Sequence, residues 1–415
     1  MLDIRLIRQD PDGVRTALAR RGPEAAAAID RVLELDERWR KLTAELEQLR
    51  AEQNKASRGR KGAPSPEERD QLTRLAERRR ELSEDEAAVR AARETALTAL
   101  PNLPAADVPE HEQVLREVGQ AGAQGRDHLE LAGERIDMPR AARLSGSRFA
   151  YLRGDLVLVQ LALISFALRK LIERGFEPLI PPVLVREHAL YGTGFLPDTE
   201  QQIYHLPEDD VYLTGTSEVA LAAFHQDEIL PEGSLPLHYA GLSTCFRREA
   251  GAAGKDTRGI FRVHQFDKLE MFSYVEPGRS EAEHEWLLGI EEEICQELEI
   301  PYRVVAIPVD DLGASAAKKY DIEAWLPGQG RYRELTSCSN TTDYQARRLD
   351  IRYRPAGGSR PAFVHTLNGT AVAVGRTIIA LLENGQGEDG SVELPAALRP
   401  YGAPELLAPA RPSEA

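Results

Sequence analysis

CFRREAGAAGKDTRGIFRVHQFDKLEMF, residues 245–272, is the stretch from which the chain can be read outward. It opens with Phe246, Arg247, Arg248 and Glu249, then turns through a run of Gly and Ala from Ala250 to Gly254. It rises through Lys255, Arg258 and Arg262 into Phe261-Arg262-Val263-His264-Gln265-Phe266, whose period of two predicts a strand. Two strands around a basic loop make a hairpin that can close over a polyphosphate. Arg suits that work because its planar fork binds phosphate oxygens bidentately. For an isolated Phe-Arg-x-Glu a solvated basic hairpin would be the better reading; the length of the string argues against it here.

The rest of the composition bounds what such a hairpin can serve. A chain of 415 residues has material for two or three domains, and 42% hydrophobic with 29% charged residues is ordinary for a soluble protein. The net charge of −15 argues against indiscriminate coating of nucleic acid. Residues 50–80, however, hold ten Lys or Arg against five Asp or Glu, a basic patch on an acidic body and a footprint for a local polyanion contact. Cys245, Cys295 and Cys338 are far apart and odd in number, which predicts neither a disulfide framework nor a zinc site and fits a reducing cytosol. The start, MLDIRLIRQDPDG, lacks the apolar core of a signal peptide. Leu156 to Leu168 is too short to span a membrane and reads as a buried helix.

In chain order, Asp10-Pro11-Asp12 marks a helix start in a short capping segment. Leu35, Trp39, Leu42, Leu46 and Leu49 form a heptad seam. After a turn rich in Gly and Pro, Leu72, Leu75, Arg79, Leu82, Glu86 and Val89 form another. The pair predicts an antiparallel helical hairpin over about 30–100, each helix of roughly 28 residues and about 40 Å. Lys55, Arg58, Arg60 and Lys61 gather at its tip, which favours a nucleic-acid contact; a spacer or dimerisation coiled coil fits the seams alone. The expected domains are 1–105 with the hairpin, a connector at 106–126, a catalytic domain over 127–402 and a disordered tail at 403–415. Within the catalytic domain the pattern predicts helices at 156–174, 280–298 and 377–383 and a strand at 301–308. Hairpins rather than βαβ units indicate an α+β fold, an antiparallel sheet flanked by helices.

The central stretch closely resembles motif 2 of the class II aminoacyl-tRNA synthetases, specifically the bacterial-type seryl-tRNA synthetases. Gly175 to Leu184, with Pro182, resembles motif 1, which forms the dimer interface in that family. His365 to Arg376 leading into a helix resembles motif 3. The resemblance covers nearly the whole chain. It implies ATP-dependent attachment of L-serine to tRNA(Ser), and to tRNA(Sec) where present, through seryl-adenylate by a cytoplasmic homodimer with no membrane contact. It implies Mg²⁺ as cofactor, bound with ATP through Glu334 and Ser337, and no zinc. Arg247, Glu249 and Arg376 are the implied catalytic residues. Arg248, Val263, Phe266, Leu335 and Thr336 complete the ATP set, with Phe266 stacking on adenine and Glu249 meeting its amino group. Thr216, Ser217, Glu218, Glu270, Asn368 and Thr370, with Arg247, are the implied serine-binding residues. Ser217 departs from the commoner Ala. Within the apolar run around Glu270, a bound ammonium is the expected partner for that carboxylate. The hairpin is implied to grip the long variable arm of tRNA across the dimer. Three other readings remain at this stage: a paralogue of the same chemistry, an amino acid:carrier-protein ligase (relatives that lack the arm), and an inactive RNA-binding scaffold.

Overall fold

Pro23 and Pro66 each stand at the first position of a long helix, where a missing N–H costs nothing. In the computed structural model, which describes residues 1–57, 65–197, 202–250, 258–358 and 360–410, these helices are α1 (Pro23–Ser57) and α2 (Pro66–Ala99). They run 35 and 34 residues, longer than the heptad seams alone predict, because Ile29, Val32 and Leu97 carry the apolar stripe beyond them. There the stripe joins Ile7, Val14 and Leu18 from two short helices; Asp10 caps the second of these by accepting from the Gly13 amide at 2.9 Å. The helices are antiparallel, since Gln53 meets Arg79, Trp39 meets Glu86 and Asp36 meets Arg93. Lys55 is exposed in the last turn of α1. Arg58, Arg60 and Lys61 lie outside the described residues.

Met1–Pro104 and Ala105–Ala415 form two compact units. Among the described residues the second is built on an eight-stranded sheet. Its strands are β1 (Gln113–Val118), β2 (Glu177–Leu179), β3 (Leu237–Phe246), β4 (Gln265–Val275), β5 (Tyr302–Ala306), β6 (Lys318–Leu326), β7 (Arg331–Thr342) and β8 (His365–Ala373). The spatial order is β1-β5-β6-β7-β8-β4-β3-β2, antiparallel throughout except for β2 beside β3. Helices α3 (Asp155–Glu173), α4 (Ser280–Glu297) and α5 (Val374–Asn384) belong to the same unit. Every residue of β4 from Lys268 to Val275 is buried, as expected of a central strand covered on both faces.

Four expectations need correction. The segment expected as a connector, 106–126, contributes β1; most of its side chains are exposed, so no apolar alternation announces the strand, and its backbone is held by β5. The expected tail is ordered at its start, where Leu406–Leu407 pairs with Val392–Glu393 and Leu407 is buried; 411–415 lie outside the described residues. Helix α3 is not buried all round: Leu156, Val159, Leu163 and Phe166 face the core, whereas Leu158 and Leu161 are about half exposed. Finally, Phe261 to His264 do not belong to the strand, which starts at Gln265. Residues 258–262 bend instead: the Ile260 amide donates to His128 Nε2 at 3.3 Å and the His264 amide to the Arg148 carbonyl at 3.0 Å, not to a neighbouring strand.

Candidate active site

A cavity lies between the loop leaving β3, the start of β7 and the junction of β8 with α5. Arg247 follows the end of β3, and Arg376 stands in the first turn of α5. Between them the cavity gathers Glu249, Val263, Phe266, Glu334, Leu335, Thr336, Ser337 and Thr370. Arg248 is not among its lining residues; it is exposed, and its amide donates to the Gln202 carbonyl at 2.8 Å. The loop tip at 251–257, with Lys255, lies outside the described residues.

The arginines are held by neighbours that leave their forks at the cavity. Arg247 donates from Nε to the Gly215 carbonyl at 3.2 Å, and its guanidinium lies over the Phe266 ring at 5.3 Å. Arg376 donates to the Glu334 carbonyl oxygen at 3.1 Å and pairs with that residue's carboxylate at 3.3 Å. The crowded surroundings of Glu334 oppose its charge, but Arg376, Lys319 and Arg247 outweigh them and hold its carboxyl below the usual range. Glu249 adopts a φ of +51°, uncommon for a residue other than glycine, and its carboxylate pairs with Arg262.

Beside the cavity the expected serine residues cluster around β4. Glu270 faces Thr370 across the β4–β8 pair, with Thr370 Oγ1 donating to it at 3.3 Å. Its carboxylate is not waiting for a ligand, as the sequence suggests: Lys268 Nζ, buried two residues away on the same face, pairs with it at 2.5 Å. Glu218 opens a short helix, Glu218–Ala222, and accepts from Gln345 Nε2 at 2.8 Å. Burial and the nearby Glu270 push its carboxyl up to about 7, against the opposing pull of Gln345, Lys268 and Arg247. Thr216 Oγ1 accepts from the Glu218 amide at 3.2 Å. Ser217 is committed to the sheet, its hydroxyl donating to the Gly241 carbonyl at 3.0 Å, so the departure from Ala adds no free hydroxyl to the pocket. Asn368 shares the Thr370 face of β8, opposite Ser339 of β7.

Several contributors escape a reading by motif. Phe261 lines the cavity, with the guanidinium groups of Arg333 and Arg376 over its ring at 3.9 and 4.7 Å. Lys268 and Gln345 supply the counter-groups for the two buried glutamates. Beneath the sheet, Glu291 of α4 accepts from Thr336 Oγ1 at 2.8 Å while its other oxygen has no hydrogen-bond partner among the described residues. Burial pushes its pKa well above the usual carboxylate range. A polar residue in an apolar strand was a legible sign for Lys268; nothing in the local sequence marks Gln345 or Glu291.

The sequence and the fold are shared with known proteins. Residues 1–104 match the family of the seryl-tRNA synthetase N-terminal domain, and residues 203–385 match the class II tRNA synthetase core domain (G, H, P, S and T). A serine--tRNA ligase of Acidothermus cellulolyticus is 51% identical over 99% of this chain and all of its own length. The crystal structure of seryl-tRNA synthetase from Pyrococcus horikoshii complexed with ATP superposes with a TM-score of 0.93 at 43% identity, covering 99% of this chain and 100% of that one. The cytoplasmic serine-tRNA ligase of Naegleria fowleri, in complex with AMP, gives 0.87 at 34% identity over 98% of each chain. Full-length identity near one half, both domains in order and the arginine-flanked cavity lead to one conclusion: the chain belongs to the seryl-tRNA synthetase family.

Proposed function

We propose that the chain joins L-serine to tRNA(Ser) in two steps at the cavity between Arg247 and Arg376. The serine carboxylate attacks the α-phosphorus of ATP and pyrophosphate leaves. A terminal ribose hydroxyl of the tRNA then attacks the seryl carbonyl and AMP leaves. Neither step requires a protein nucleophile, so catalysis rests on orientation and on charge placed where the phosphorus becomes pentavalent. Arg247 takes the α-phosphate, Arg376 the β- and γ-phosphates, and Phe266 the adenine ring. Glu249, freed from Arg262, turns to the adenine amino group. The observation that carries this reading is the pair of arginines lining one cavity, each held by a backbone carbonyl.

Glu334 and Ser337 would hold Mg²⁺. They fit, because a carboxylate kept charged by its neighbours beside a hydroxyl is the sparse oxygen set that Mg²⁺ accepts when it shares phosphates. Bound there, the ion supplies neutralising charge to the phosphate oxygens. Glu218 and Glu270 receive the serine ammonium, with Lys268 yielding part of its hold on Glu270, and Thr370 meets the serine hydroxyl.

The chain acts as a homodimer in the cytoplasm. Leu158, Leu161, Ile172 and Ile180 are from 41% to 85% exposed, an apolar surface on and just beyond α3 that a second copy would cover. The arm takes the long variable arm of the tRNA through the basic residues at its tip. ATP–pyrophosphate exchange with each of the twenty amino acids tests the whole reading. Serine alone should drive rapid exchange; exchange driven equally by another amino acid, or by none, would overturn it.

A further inference from the structure

One buried cluster beside the cavity is built on His128, outside the residues that meet serine or the phosphates in the proposed reaction. Asp127 caps the short helix His128–Ala132, and its carboxylate pairs with Arg258 at 2.8 Å. His128, the next residue, is 5% exposed. Its Nδ1 lies 3.0 Å from Glu383 Oε1, and its Nε2 lies 3.3 Å from the Ile260 amide nitrogen. An amide N–H can only donate, so Nε2 is the acceptor and Nδ1 carries the proton toward Glu383. Glu383, near the end of α5 and 1% exposed, also accepts from the amides of His128 at 3.1 Å and Gly328 at 2.9 Å. Three donors around one buried carboxylate fix the imidazole in a single tautomer and orientation. Gly259 makes the approach possible: its φ is +78°, and a Cβ there would stand 2.1 Å from His128 Nε2.

We propose that His128 is a positioning residue for ATP: by joining the Glu383 carboxylate to the Ile260 amide, it fixes the loop's return limb so that Phe261 presents its ring to Arg333 and Arg376. The order of contacts carries this. Glu383 and Arg376 lie at opposite ends of the same helix, and the Ile260–Phe261 peptide closes the circuit between them. Exposed Arg258–Asp127 contributes little to the hold, so the buried imidazole must do it. The inference rests on Arg376 being a phosphate ligand. It further requires that disturbing His128 weakens ATP and leaves serine alone, since among the described residues no hydrogen bond or ion pair joins Thr370, Glu270 or Glu218 to the cluster.

Serine-dependent pyrophosphate exchange on the full-length chain tests it, with the KM for ATP and for serine measured separately. His128→Ala should raise the KM for ATP about tenfold, the worth of one buried hydrogen bond, with the KM for serine within about twofold of the parent. His128→Gln, whose side-chain oxygen can accept from the Ile260 amide, should recover most of the loss. A parental KM for ATP, or equal rises in both constants, would overturn the proposal. Should His128→Ala fail to fold, Phe261→Leu decides instead: removal of the platform should raise the KM for ATP about threefold, and no change would overturn the proposal. Arg376→Ala in the same assay separates the two claims. Parental exchange in that variant would defeat the phosphate assignment and this inference together. An inactive Arg376→Ala beside a parental His128→Ala would defeat the inference alone.

Discussion

The helical arm and the catalytic sheet solve the problem of buried charge in opposite ways. Among the described residues of the first unit, Asp36 is the one buried carboxylate, and it is surrounded by Arg8, Arg40 and Arg93. Burial opposes its charge, but Arg8 and Arg93 overcome this and hold its carboxyl below the usual range. The rest of the arm is mainly a narrow apolar seam, crossed by the Trp39–Glu86 hydrogen bond, with exposed ion pairs outside it that add little. The sheet unit buries Glu218 and Glu291 with fewer partners than they could use: Gln345 donates to the first, and one oxygen of the second has no hydrogen-bond partner among the described residues. That contrast locates function. A strut keeps its polar groups solvated or fully paired, whereas a site keeps carboxylates under-satisfied so that a ligand can complete them.

The contrast is most exposed to test at the arginines. Arg247→Ala and Arg376→Ala should each slow adenylate formation by about 10²–10³, the loss expected for one donor to developing charge, with the fold intact by circular dichroism. Exchange within a few-fold of the parent would remove the cavity from the chemistry. Next comes the Lys268–Glu270 pair. Lys268→Ala strands a buried carboxylate and should lower unfolding free energy in urea by about 3 kcal/mol, while the double variant with Glu270→Gln should lose less. A single-variant loss below about 1 kcal/mol would show the pair to be dispensable.

Glu218 offers a pH test. Burial pushes its carboxyl up to about 7, and the proposed contact with the serine ammonium needs it charged. Protonation as pH falls therefore weakens serine binding, and the KM for serine should rise roughly tenfold from about pH 8 to about pH 6. Glu218→Gln should flatten that profile; an unchanged slope would move the titration to another group. The smallest effect belongs to the arm. Trp39→Phe removes the indole donor to Glu86, 2.7 Å away, and should destabilise by about 1 kcal/mol without touching exchange.

Much of this was legible in the sequence because period and punctuation carry it. The two seams with a Gly/Pro turn announced the helical pair, and Gly175, at φ +87°, ends α3 as expected. The cavity residues flanking Arg247 and Arg376 were readable through motif order. What escaped reading lies where a residue answers to neighbours distant in the chain. Strand β1 shows no alternation because it is an exposed edge. Phe261 alternates like a strand residue, yet bends inward to carry two guanidinium groups. Gln345 and His128 act on partners more than a hundred residues away, and no local pattern can report that.

If the two units carry separable halves of the reaction, the basic tip of the arm should serve tRNA and nothing else. Replacing Arg58, Arg60 and Lys61 together with Ala decides this, with serine-dependent pyrophosphate exchange and tRNA charging measured on one preparation across a salt series. Exchange should stay near parental while tRNA binding weakens at low salt. The salt slope should become shallower by up to roughly 2–3 units, about 0.9 for each phosphate no longer neutralised. Exchange that falls in step with charging, or tRNA binding with an unaltered slope, would contradict the separation.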